Sequence, residues 1–366
     1  MRASLSVLLL MSAVFLAPLT AYGQATTPKY SNDFLAIGVG ARSLAMSNSN
    51  LVSTNDVTST YWNPVGLLDV ESDLQLGAMH AEYFAGIAKY DFGGVAKPLG
   101  DSSALGVSLI RFGVDDIPNT INLVGPNGNI DYDRISSFSA VDYAALISYS
   151  KKMPVKGLEL GGTAKIIHRK VGDMAKAWGF GLDAGMRYHK EKWHFAALAR
   201  DVTTTFNAWS FNLTERTKEV FKTTGNEIPQ QSLELTMPRI HLGVSRDIRI
   251  SEKFELLTEL DVDVTTDGKR NVLLVGDPFS AAPHFGFELG YDSFIFLRGG
   301  IGGFQRVKGA DDTRETLFKP TLGVGLDIKD RLIIDYALTD VGDQTVAPYS
   351  NIFSLKYNIF KLKGDR

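Results

Sequence analysis

The chain has 366 residues, a formal net charge of -3 and no cysteine. These totals exclude disulfides, thiolate metal sites, a cysteine nucleophile and a lipid-modified N-terminal cysteine, and the near-neutral balance offers no footprint for a polyanion. The length admits two or three soluble domains or one large barrel, and 35 glycines with 21 phenylalanines and 13 tyrosines suit packed strands and turns.

Residues 1–23 read as a secretory signal. Arg2 supplies the positive start, Leu5 to Leu16 is an apolar core too short to span a bilayer, and Ala21-Tyr22-Gly23 is a small-x-small cleavage site that would leave Gln24 first. The competing reading is an uncleaved anchor helix. No later window reaches about 18 apolar residues, so a membrane protein built from the rest must be a closed barrel.

Residues 24–72 form an N-terminal hatch segment in this reading. A polar lead ends in Phe34-Leu35-Ala36-Ile37, and Gly38-Val39-Gly40-Ala41-Arg42 follows. Asn55-Asp56 caps a short helix from Val57 to Trp62, and Pro64 with Gly66 limits its extension.

From Asp73 the period becomes two. Leu158, Leu160, Ala164 and Ile166 oppose Glu159, Thr163, Lys165 and Arg169. Leu256, Leu260, Val262 and Val264 oppose Glu255, Glu259, Asp261 and Asp263. Alternation of this kind gives every strand one apolar and one polar face. About fourteen such segments lie near 73–83, 86–98, 102–113, 137–151, 157–170, 176–189, 193–202, 239–250, 254–266, 284–291, 293–304, 317–328, 331–339 and 350–361. The fold class expected is all-β: a transmembrane antiparallel barrel over 73–361, with a tail at 362–366.

The connections alternate in length. The even ones are short turns, whereas the odd ones are mostly longer, at 114–136, 203–238, 267–283, 305–316 and 340–349, with two short exceptions near 84–85 and 171–175. Outer-membrane barrels show this asymmetry, with short periplasmic turns and long external loops. An even strand number returns the C-terminus to the periplasmic side, so the hatch is expected to enter the lumen from below. Trp178 and Tyr188 at opposite ends of one apolar face, with Phe180, Leu182 and Met186 between, read as an interfacial girdle. The alternative is a periplasmic or secreted all-β protein with polar outer faces.

Motifs with chemistry are few. Gly299 to Gly303 lacks the Lys-Ser/Thr pair and following helix of a phosphate loop, and reads as close packing of a strand against lumen contents. Asp263 to Gly268 begins like a calcium loop, but Leu274 stands where the bidentate acid belongs. The six histidines are scattered, with no helical i, i+4 pair. The informative polar set is the inward charges Glu159, Lys165, Arg169, Asp183, Arg187, Glu259, Asp261, Asp263, Arg298, Asp335 and Lys356. They either line a water-filled path or pair with one another. Mixed signs and an available hatch favour a filled lumen.

The run Phe34 to Met46, with Asn55-Asp56 and Tyr61-Trp62-Asn63-Pro64-Val65-Gly66-Leu67, resembles the N-terminus of the PorV/PorQ family, a branch of the FadL-like outer-membrane barrels of Bacteroidetes and relatives. The matching hatch residues are Gly38, Gly40, Ala41, Arg42, Asp56, Trp62, Asn63, Pro64 and Gly66. Asn55 replaces the usual first Asp, Val65 the usual Ala, and Ser47-Asn48 a common Gly-Gly.

The resemblance implies a fourteen-stranded barrel with the N-terminal segment folded inside. PorV-like members are partners of the type IX secretion machinery, accepting cargo and passing it on at the cell surface; FadL-like members carry hydrophobic compounds inward. A FadL-type transporter is expected to have a more apolar pocket and an opening in its wall. The expectation is therefore a non-enzymatic outer-membrane protein of a Gram-negative, Bacteroidetes-like bacterium, with no cofactor, metal or nucleic acid. Its expected partners are outer-membrane lipid and secretion machinery or cargo, and alternatively a hydrophobic ligand.

Overall fold

The structure, a computed structural model, describes residues 31–125, 127–308, 314–339 and 350–360. The signal-peptide reading, the Gln24 terminus and the 362–366 tail lie outside the described residues.

The alternating segments form strands. They are β1 (Leu74–Tyr83), β2 (Ala88–Pro98), β3 (Ser103–Asn119), β4 (Ser136–Lys152), β5 (Leu158–Val171), β6 (Ala175–Lys190), β7 (Trp193–Arg200) and β8 (Thr205–Phe211). After them come β9 (Ser232–Thr236), β10 (Arg239–Arg249), β11 (Phe254–Thr265), β12 (Ser280–Tyr291), β13 (Ile295–Lys308), β14 (Arg314–Ile328), β15 (Leu332–Thr339) and β16 (Ser350–Ile359). Neighbours pair antiparallel, and β1 pairs with β16 to close the ring. Both β7 and β8 lie against β6, while β10 continues the line of β9 against them. Two of the staves are therefore each broken in half, and the closed barrel has fourteen.

The broken staves meet. Asp201 to Thr204 separates β7 from β8, with Asp201 and Thr204 at φ 59 and 60, and Thr204 N–H donates to Asp201 O at 2.8 Å. Opposite, Met237-Pro238 separates β9 from β10, and a proline cannot donate to the ladder. The sequence reading made 203–238 one long loop. In the structure that stretch contains β8, β9 and a helix, Glu215–Thr223, whose N-cap Thr214 accepts from Thr217 N–H at 3.2 Å. The expected segment at 102–113 likewise continues to Asn119 as a 17-residue strand.

The outer face is apolar. Along β6, Trp178, Phe180, Leu182, Met186 and Tyr188 are exposed, while Ala177 before them and Asp183 and Arg187 between them are buried. Along β16, Phe353, Leu355 and Tyr357 are exposed and Ser354 and Lys356 buried. A soluble sandwich would have the reverse pattern. An apolar band flanked by aromatic rings is a lipid-facing surface. No described helix is long and apolar enough to cross a membrane.

Residues 31–72 lie among the inward-facing side chains. They form α1 (Ala41–Ala45), α2 (Ser59–Trp62) and a 3-10 helix, Pro64–Asp69. Val39, Ala41, Ala45, Val57 and Leu67 are fully buried. The expected helix from Val57 is shorter: Asp56 accepts from Thr58 N–H at 2.8 Å in a local turn, and the helix begins at Ser59. Pro64 ends that helix and starts the next, where Asn63 Oδ1 accepts from Val65 N–H at 3.3 Å.

The direction of this segment corrects the expectation that it enters from the short-turn side. Asn32 Nδ2 donates to Thr236 Oγ1 at 2.8 Å, and Asn207 Nδ2 donates to Asn32 Oδ1 at 2.9 Å. Asn207 pairs with Gly179, next to Trp178, at the long-loop end of the apolar band. The described segment thus starts high in the barrel and descends to β1. Those two hydrogen bonds involve β8 and β9, which lie within the loop expected at 203–238.

Candidate functional site: the lumen and its N-terminal segment

The motif from Gly38 to Gly66 is built around backbone that few residues can adopt. Gly38 and Gly40 hold φ 103 and 85, where side chains are strained, and a Cβ on Gly38 would sit 3.2 Å from the Trp62 ring. Trp62 Nε1 in turn donates to Val39 O at 2.8 Å. Ala41 N–H donates to Ser354 Oγ at 3.0 Å. Asn63 Nδ2 donates to Leu51 O at 3.1 Å, and Ser150 Oγ donates to Pro64 O. A Cβ on Gly66 would stand 2.3 Å from Thr54 O.

Arg42 and Asp56 anchor the segment electrostatically. Arg42 Nε lies 2.8 Å from Glu288 Oε2, and Arg42 Nη1 donates to Asn50 Oδ1 at 2.7 Å and Ser53 O at 3.2 Å. Burial opposes the Arg42 charge, but the Glu288 carboxylate outweighs it and holds the guanidinium above its usual range. Asp56 Oδ2 lies 2.7 Å from Lys356 Nζ. Burial likewise opposes ionisation of Asp56, yet Lys356 and the Thr58 donors hold its carboxyl below the ordinary value.

The charges assigned inward by parity face the lumen and fall into a few networks. Glu159 Oε2 accepts from Arg187 at 2.9 Å, and Arg187 reaches Asp69 at 2.7 Å. Lys165 bridges Asp183, at 2.7 Å, and Asp201. Arg169 pairs with Asp142 at 2.9 Å and Glu234 at 3.2 Å. Arg298 joins Glu288 to Asp335, the latter at 2.6 Å, and Lys356 lies 3.6 Å from the same Asp335. Among the described residues no cation forms an ion pair with Glu259 or Asp261. They accept amides of the segment instead: Val52 at 2.6 Å and Ser53 at 3.2 Å on Glu259, Asn50 and Leu51 at 3.0 Å each on Asp261.

Several partners escaped the sequence reading. Glu288 is on the inward parity of β12 with His284, a signal available in the alternation. Asp142 shares the inward parity of β4 with Ala144 and Leu146, again a signal available in the alternation, whereas Asp201 sits in the wall interruption and Glu234 on β9, where no pattern marks them. At Asp263 to Gly268 the strand β11 ends at Thr265 and the chain turns at Asp267-Gly268. Asp263 is shared by His241 and His284, the latter at 3.3 Å, and the Asp267 carboxylate is occupied by Arg270. Gly300 carries the packing predicted for its run: a Cβ there would stand 2.4 Å from the Met46 carbonyl carbon.

Among the described residues, the spaces around the segment include three. A bowl of about 610 Å³ opens at the short-turn end, lined by charged groups including Arg187, His189, His194, Asp247 and Glu255. A pocket of about 250 Å³ lies on the other side, lined by residues including Ile37, Leu44, Asn48, Tyr83, His284 and Thr321. A water-sized void of about 20 Å³ lies beneath the wall interruption, beside Lys165, Arg200 and Arg239. None of the three is an apolar tunnel.

No family model matches the sequence. No curated protein matches it. Solved structures do match in fold. The CymD monoaromatic hydrocarbon channel aligns with a TM-score of 0.55 and 11% identity, over 89% of this chain and 98% of its own. The toluene transporter TodX of Pseudomonas putida gives 0.54 and 12%, over 88% and 98%. The toluene transporter TbuX of Ralstonia pickettii gives 0.51 and 11%, again over 88% and 98%. At these identities the likeness is one of fold alone: a closed antiparallel β-barrel shared with these channels and transporters.

Proposed function

We propose that this chain is a non-enzymatic outer-membrane protein that passes a hydrophobic small molecule inward, with residues 24–72 as the hatch that restrains passage. The observation that carries the reading is the barrel shared, along nearly its whole length, with the hydrocarbon channel and toluene transporters. The interruption at Asp201 to Thr204 and Met237-Pro238 supplies a second support. Val202 and Met237 are exposed on the lipid side of it. The protein would lie in the outer membrane of a Gram-negative, Bacteroidetes-like bacterium after signal cleavage. Uptake of a labelled monoaromatic should fall in a deletion strain and return on complementation. Unchanged uptake in the deletion strain contradicts the reading.

A second reading is action in type IX secretion, binding cargo or translocon at the cell surface. It is favoured by the PorV/PorQ-like hatch motif and by a lumen crossed by ion pairs rather than an apolar channel. Pull-down of the tagged protein should then recover secretion components. Recovery of none, with secretion intact in the deletion strain, removes it.

A further inference from the structure

The bowl at the short-turn end contains a histidine pair that the functional reading does not use. His189 is the penultimate residue of β6 and His194 the second of β7, and they pair directly across the hairpin. Both side chains point into the bowl. Their Nδ1 atoms stand 2.6 Å apart, with ring centroids 4.8 Å apart and planes at 72°. Each ring's other nitrogen faces a carboxylate: His189 Nε2 lies 3.2 Å from Glu159 Oε2, and His194 Nε2 lies 3.0 Å from Asp247 Oδ2.

The tautomers follow from these contacts. An ionised carboxylate only accepts, so each Nε2 carries the proton that it donates. Each neutral ring then has its lone pair on Nδ1, and the two lone pairs point at one another. Two acceptors do not rest 2.6 Å apart without a cation between them. A single shared proton is one solution. A metal ion is the other, and the surroundings are those a metal site uses. Imidazole suits borderline divalent ions, and a carboxylate on the far nitrogen of each ligating histidine fixes its orientation and raises its basicity.

We propose that His189 and His194 form a binding site for a borderline divalent transition-metal ion of the Zn2+ or Cu2+ class, through both Nδ1 atoms. Zinc–nitrogen bonds of about 2.0–2.1 Å in tetrahedral geometry place two ligating nitrogens roughly 3.4 Å apart. The rings must part by less than about 1 Å from their present separation. The side chains retain 35% and 19% exposure, and the bowl beside them is open. No group of three or more His, Asp or Glu side chains converges on one point among the described residues, so water from the bowl completes the coordination. Glu159 also accepts from Arg187, which reaches Asp69 of the N-terminal segment, so an ion here sits one carboxylate away from the segment's lower attachment.

Purified full-length protein in detergent, titrated with Cu2+, tests the site by electron paramagnetic resonance, with Zn2+ followed by calorimetry. The expected result is one ion per chain, with a Cu2+ spectrum split by two nitrogens. His194→Gln removes that spectrum and the Zn2+ heat. Asp247→Asn leaves both ligands in place and weakens Zn2+ roughly ten- to hundredfold, the usual effect of losing such a support. An unchanged thermal melt for either variant shows that the barrel persists. Absence of Zn2+ and Cu2+ binding by the intact protein overturns the proposal and leaves the shared proton. So does binding that survives His194→Gln.

Discussion

Lys356 Nζ, on the last strand, lies 2.7 Å from Asp56 Oδ2 of the N-terminal segment, joining residues 300 positions apart in the chain. The same ammonium lies 3.6 Å from Asp335, which also holds Arg298. The pair thus ties the segment into the charge network of the wall. Lys356→Met leaves Asp56 buried without its cation and should cost about 3–5 kcal/mol. Removing both, with Asp56→Asn as well, should recover much of the loss. Thermal unfolding in detergent of the two single variants and the double variant reads this directly. Equal destabilisation by the double and the sum of the singles would remove the coupling.

The same pair sets a pH dependence. Burial disfavours the Asp56 carboxylate, but Lys356 and Thr58 outweigh burial and hold its pKa in the folded state below the ordinary 3.8. A depressed carboxyl stabilises the fold fully above its ordinary value, and that contribution is lost as pH falls through the lower, folded value. The melting temperature of the intact protein should therefore fall in acid below about pH 4. In Asp56→Asn this component of the fall should be missing.

The lipid band makes a prediction that a soluble protein would not share. Leu355 lies midway between Phe353 and Tyr357 on the exposed face of β16. Leu355→Arg at the bilayer midplane should cost about 2–4 kcal/mol of folding stability in lipid vesicles. On a water-facing surface the same change would be within about 0.5 kcal/mol.

Close approach of segment and wall is tested at Gly300. A Cβ there would stand 2.4 Å from Met46 C and 2.6 Å from Ser47 N, both backbone atoms that cannot swing aside. Gly300→Ala should destabilise by about 1–3 kcal/mol through overpacking. Gly299 is the control: its Cβ would meet the ring of Phe287 at 2.7 Å, a side chain that can turn away. Chemical denaturation of both variants should separate them, with Gly299→Ala the milder.

Much of this was legible in the sequence because the barrel obeys a period of two. Glu159, Lys165, Arg187 and Asp335 could be assigned inward from parity alone, and the fourteen staves from the alternation and loop lengths. The rest was hidden where the period breaks. Arg200 and Thr205 both face inward, five positions apart, because the turn at Asp201 to Thr204 shifts the parity; β8 and β9 therefore looked like loop. That omission also concealed where the segment starts, since Asn32 is held by Asn207 and Thr236 on those strands. His189 and His194 stood five apart with no helical spacing, and only the hairpin register brings them together.

On the proposed reading, the N-terminal segment fills an otherwise open lumen, anchored by Arg42, Asp56 and the amides of residues 50–53. Single-channel conductance in a planar bilayer tests it most directly. The intact protein should be closed to ions, and a variant lacking residues 34–67 should still insert and conduct. A truncated barrel that inserts and remains as closed as the intact one would contradict the account.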